Sequence, residues 1–182
     1  MSSLRLPLLL RVGLLAIMLV VVLSVISKTQ SQPLFHTRTY CISPSFTPVQ
    51  AALIEEGFHL WEYRSPIPRF HLNCADPFAV QVRPATSEDI QYWSNTFDSN
   101  GFWTCGVYDP DTNSVIILMD RIDSSKMLLV IAAHEAGHVL GAQDREPVNL
   151  SIMSAVVRQE VIDDFHLYPD DIEQLCKEQP CQ

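Results

Sequence analysis

Nowhere in this 182-residue chain do two cysteines stand as a CxxC pair, which excludes a zinc knuckle built from cysteine thiolates. Its five cysteines (Cys41, Cys74, Cys105, Cys176 and Cys181) are spread out, all beyond the single long apolar run. Such spacing predicts disulfides formed in an oxidising compartment, with an odd thiol left over or paired to another chain. Spacing leaves the connectivity open. Positive charge is scarce too, with 12 Lys and Arg against 21 Asp and Glu. Two of the basic residues, Arg5 and Arg11, lie in the first 27 positions, which hold no acid. Beyond them 10 basic and 21 acidic residues remain, a net charge of −11. Such a surface repels phosphate backbones and anionic headgroups, so nucleic acid is not an expected partner. Repeats and low-complexity tracts are absent, and nothing marks a boundary between two folded domains.

The apolar run spans residues 12–26 and is broken only by Gly13 and Ser24. Arg5 and Arg11 precede it, the layout of a secretory signal, with Val25 and Ser27 as small residues before a cut. The same stretch counted from Leu6 is long enough to serve as an uncleaved anchor, with Arg11 reaching back to the headgroups. Either way the basic flank stays in the cytoplasm and the remainder is exported. The expected organisation is therefore a signal peptide or membrane anchor over 1–27, a polar linker over 28–38, and a folded domain over 39–182. The protein is expected outside the cell, secreted or held at its surface by attachment of the apolar segment to the membrane.

Within that domain Pro48 opens a helix whose apolar stripe is Ala51, Ala52, Ile54, Phe58 and Trp61, with Glu55 beside it. The SPIP at 65–68 ends it. Residues 69–72 and 78–82 read as short strands, 84–89 as a loop, 101–108 as another strand and 114–119 as a buried one. A long helix follows. Asp123 or Ser124 can cap it, residues 127–133 are apolar on nearly every side, and Gly141 suits a left-handed stop. Pro169, Asp170 and Asp171 start a closing helix. The order of elements predicts an α+β arrangement.

The long helix carries HEAGH at 134–138. His134 and His138 lie four apart and project from one helical face, a spacing that lets both imidazoles reach one Zn²⁺ at about 2.0–2.1 Å. Glu135, on the adjoining flank, is placed to act as general base toward a zinc-bound water attacking a carbonyl. Gly141 lets the chain turn back toward the metal, and Asp144 follows just past that turn, a candidate third ligand. Glu160, 22 residues after His138, and His166 are alternative third ligands. Asn149 with Ser151 matches a glycosylation acceptor, beside the stretch that matters most. His36, His59 and His71 have no metal spacing.

HEAGHVLGAQD at 134–144, followed by Ser151, Ile152 and Met153, resembles the metzincin metallopeptidases, whose pattern is HExxHxxGxx(H or D) with a downstream Met-turn. The Asp form is similar to the small snapalysin-type secreted peptidases. The resemblance implies zinc ligands His134, His138 and Asp144, catalytic Glu135, and Met153 as the Met-turn residue packed beneath the metal. It also implies a small twisted mixed sheet with a long active-site helix and a C-terminal helix. Trp61, Pro68 and Phe70, and LYPDDIEQL at 167–175, resemble the matrixin branch. The resemblance runs over roughly 40–177, but only 134–153 is specific. The chain departs from the matrixin pattern in having no PRCGxPD-like cysteine switch and no His and Asp set for a structural zinc. The Tyr that some metzincins place two after the Met is Ala155 here.

An aspartate in place of a third histidine lowers the net charge at the zinc from near +2 to near +1. Bound water is then less acidic, which Glu135 offsets by taking its proton. Two His and one carboxylate already serve as a working peptidase site. The expectation is an exported zinc endopeptidase acting on polypeptide. The resemblance implies that strand 101–108 is an edge that receives extended substrate, while the residues fit a plain core or hairpin strand equally well. The alternative is an extracellular zinc-binding interaction module without catalysis, its site closed by a fourth protein ligand.

Overall fold

Residues 37–63, 69–97, 104–145, 150–155 and 159–178 are described by a computed structural model of the chain. All lie within one compact unit, Phe35–Gln182. The apolar segment 1–27, the linker up to residue 36, the breaker at 65–68, residues 101–103, Asn149 and Cys181 lie outside the described residues. No helix among the described residues is long and apolar enough to cross a membrane.

The first strand, β1, is Arg38–Ile42, so the chain is already in the sheet where the sequence predicts the end of a linker. Tyr40 explains this. Its ring is buried, stacked on Phe58 at 4.7 Å and edge-on to Phe70 at 6.0 Å, and that burial holds a strand too short to show its own period. Helix α1 follows over Pro48–His59, started by a reciprocal cap. The Thr47 hydroxyl accepts from Gln50 N–H, and the Gln50 amide oxygen accepts from Thr47 N–H at 2.8 Å. The buried face of α1 is Ile54, Gly57 and Phe58, continuing to Trp61. Ala52, expected on that stripe, is exposed instead, because it falls on the opposite side of a 3.6-residue helix from positions 51, 54, 57, 58 and 61.

Strands β2 (Phe70–Leu72) and β3 (Val80–Pro84) come next, then α2 (Ser87–Phe97), β4 (Gly106–Asp109) and β5 (Ser114–Ile117). The loop expected over 84–89 is in part the entry to α2. Thr86 and Asp89 cap each other's backbone N–H, at 2.8 and 3.2 Å, and Arg83 pairs with the same carboxylate. None of the described side chains of α2 is buried, so it leaves no apolar stripe to read. Three α-helices complete the fold: α3 (Ser125–Val139), the short α4 (Gln159–Asp163) and α5 (Pro169–Glu178).

The sheet order is β2-β1-β3-β5-β4. The first four strands in that order run parallel, and β4 is an antiparallel edge, with Val107 opposite Ile116. The architecture is α+β with a five-stranded mixed sheet. Cys41 and Cys74 form a disulfide that ties β1 to the segment after β2. Cys176 is disulfide-bonded as well, and Cys105 is in no disulfide.

Candidate metal centre

Ser124 caps α3 by accepting from Met127 N–H at 3.1 Å, and the helix then runs through the core with residues 128–137 buried throughout. Two contacts with α1 and its continuation set its position. A side-chain carbon at Gly57 would stand 2.8 Å from Leu129 O and from Ala132 Cβ, so only glycine lets the helices approach so closely. The Trp61 indole donates to Ala133 O at 2.8 Å, one residue before the HEAGH stretch.

The end of α3 aims the side chains that could hold a metal ion. Gly141 adopts φ 97°, and Gly141 N–H donates to His138 O while Ala142 N–H donates to Gly137 O, both at 2.9 Å. This closing turn reverses the chain. It brings the Ala142 carbonyl back against the helix, where it accepts from His138 Nδ1 at 2.9 Å. The Ile152 carbonyl accepts from His134 Nδ1 at 2.7 Å. With both Nδ1 positions engaged by carbonyls, each imidazole turns its Nε2 to the same point. The two Nε2 atoms are 3.1 Å apart. Asp144 Oδ1 lies 3.3 Å from that of His134 and 3.4 Å from that of His138.

That triangle can be tested against a cation. Tetrahedral bonds of about 2.0–2.1 Å put ligand atoms about 3.3–3.4 Å apart. The observed edges match to within about 0.2 Å, and two imidazoles with one carboxylate form a donor set that suits a divalent transition-metal ion. Among the described residues no other group of three His, Cys, Asp or Glu side chains is so arranged. His166, the alternative third ligand, is exposed. It lies against the Asp164 carbonyl at 3.0 Å with its ring over Tyr168, apart from this group. The Glu160 side chain lies outside the described residues.

Glu135 is 2 % exposed, and its Oε2 has no hydrogen-bond partner. Gly106 on β4 makes room for it, since a side-chain carbon there would come within 2.7 Å of Oε1. Burial pushes the Glu135 carboxyl above the usual range, with the Asp144 charge adding to the rise. The two histidines and a hydrogen bond from the Tyr108 backbone oppose it. For His134 burial favours the neutral ring, but the hydrogen bond to Asp144, the Glu135 charge and the Ile152 carbonyl outweigh it and push the pKa up to about 9. Hydrogen bonds to His134 and His138 hold the Asp144 carboxyl well below the usual range. Two cationic or polarisable donors and two carboxylates are thus packed into one partly buried spot, an arrangement characteristic of functional sites.

Met153 is fully buried against the helix between the two histidines. A side-chain carbon on Gly137 would meet its Sδ at 2.3 Å. One residue that holds this geometry, within the LYPDDIEQL stretch, was not among the candidate site residues. Asp171 is 0 % exposed and accepts from the Ser151 hydroxyl, from Ile152 N–H at 3.1 Å, Met153 N–H at 3.3 Å and Tyr168 N–H at 3.0 Å. It therefore fixes the 151–153 turn that supplies both the Ile152 carbonyl and Met153. The sequence shows it only as an acid in the first turn of a helix, so the long-range donors were invisible.

No protein-family model matches the chain, and no curated protein matches it.

Proposed function

We propose that the protein is an exported zinc-dependent endopeptidase of metzincin type, with His134, His138 and Asp144 as metal ligands and Glu135 as general base. The observation that carries this reading is the convergence of His134 Nε2, His138 Nε2 and Asp144 Oδ1 on one point, beside a buried carboxylate with an unpaired oxygen. A lone buried carboxylate oxygen costs about 1–3 kcal/mol or more, a cost that a catalytic role explains. When bound, zinc supplies Lewis-acid polarisation of a carbonyl and makes water more acidic.

The rest belongs to the protein. Glu135 takes a proton from water as the water oxygen bonds to the scissile carbonyl carbon. It then delivers that proton to the amide nitrogen as the carbon–nitrogen bond breaks, and returns to its starting carboxylate. Strand β4 is the edge of the sheet, and Gly106 on it touches Glu135. A polypeptide paired to that edge would run past the base, which favours a peptide as the substrate. The segment 1–27, as signal or anchor, accounts for export.

Glu135→Gln keeps the shape of the side chain and removes its basicity. It should reduce hydrolysis of an unfolded casein by 10²-fold or more while zinc content stays that of the wild type. Undiminished hydrolysis by this variant would remove Glu135 from the mechanism.

A further inference from the structure

Each imidazole of the site has its second nitrogen fixed by a carbonyl, but Asp144 has no comparable hold. Its side chain is 58 % exposed, and among the described residues its carboxylate meets only the two histidines. A carboxylate on a loop is a precise ligand only if something fixes the backbone that carries it.

Helix α5 fixes that backbone on both sides. Gln174 Nε2 donates to the carbonyl of Gln143, the residue before Asp144, at 2.7 Å. Arg145, the residue after it, forms an ion pair with Asp170 on the same helix, Nη1 to Oδ2 at 3.4 Å, without a hydrogen bond from that nitrogen. Asp170 and Gln174 are four apart and share one face of α5. The Arg145 backbone is pinned as well. Its N–H donates to Met153 O at 2.7 Å, and its carbonyl accepts from Ala155 N–H at 3.0 Å. The Gln174 Oε1 atom is buried without a partner, so the amide is committed to donation.

We infer that Gln174 and Arg145 are positioning residues for Asp144, clamping the loop so that Oδ1 meets the two imidazole nitrogens. The inference rests on Asp144 being a metal ligand, as proposed above.

The test is zinc affinity by chelator competition, in the full chain, for Gln174→Leu, Arg145→Met and Arg145→Lys. Each is made alone and in an Asp144→Ala background, with thermal midpoints of the metal-stripped proteins alongside. Gln174→Leu and Arg145→Met should each weaken zinc binding by about 10-fold or more. Arg145→Lys, which keeps the charge, should stay close to wild type. In the Asp144→Ala background neither variant should weaken zinc further, because the side chain they orient is gone. Equal weakening with and without Asp144, or no weakening at all, overturns the clamp. Should Gln174→Leu unfold, Gln174→Glu replaces the donor at equal size and must give the same pattern. An Asp144→Ala protein that binds zinc as tightly as wild type refutes the ligand assignment itself. That result differs from one in which Asp144→Ala loosens zinc and the clamp variants do not.

Discussion

His134 is where the chemistry of this chain is most concentrated. Its ring is held between the Ile152 carbonyl and the Asp144 carboxylate, and its pKa is pushed up to about 9. A raised pKa means that the proton contributes stability to the metal-stripped fold below the unfolded value of about 6.5. That contribution is lost as pH rises through about 9. Metal binding needs the neutral ring, so the same proton must leave when zinc enters. We expect zinc binding at pH 7 to release about one proton from this group, and apparent affinity to rise with pH until about 9. Calorimetry in buffers of differing ionisation enthalpy measures the release directly. An affinity independent of pH between 6 and 9 would contradict it. That His134, His138 and Asp144 could come together was legible in the sequence, with Glu160 and His166 as alternatives to Asp144, because helical spacing and the Gly141 turn are local. The carbonyls of Ile152 and Ala142 that aim the rings were not legible, since any residue presents a carbonyl.

Helix α3 was the easiest element to read, being apolar on nearly every side with Ser124 to cap it and Gly141 to stop it. Helix α2 and strand β1 escaped for opposite reasons. The first rests on a cap at Thr86 and Asp89 with no buried stripe, and the second is held by the burial of Tyr40 from distant elements. The Thr86 to Asp89 spacing was the available signal for α2. Packing between α1 and α3 rests on Gly57, which stands against backbone atoms that cannot swing aside. Gly57→Ala should therefore lower stability by about 1–3 kcal/mol through overpacking, more than the added helix propensity returns. Urea unfolding of the two proteins checks this. Equal midpoints would mean that the helices separate without cost.

At the scale of the whole molecule the sequence showed the α+β class and the excess of acids, but not the strand order. The sequence β2-β1-β3-β5-β4 depends on pairings between segments far apart in the chain, which local period cannot encode. Disulfide connectivity was equally closed to sequence reading, and the structure supplies Cys41–Cys74. What the fold achieves is to bring α3, the 141–145 turn, the 151–153 turn and α5 together around one cluster of side chains that could hold a metal ion. If this cluster makes the protein a zinc peptidase, its activity must follow the metal. The direct measurement is hydrolysis of unfolded casein by the purified protein before metal removal, after stripping with a strong chelator, and after zinc is returned. We expect activity, its loss, and its recovery with stoichiometric zinc. Zinc-loaded protein that cleaves no polypeptide, or hydrolysis that persists without metal, would contradict it.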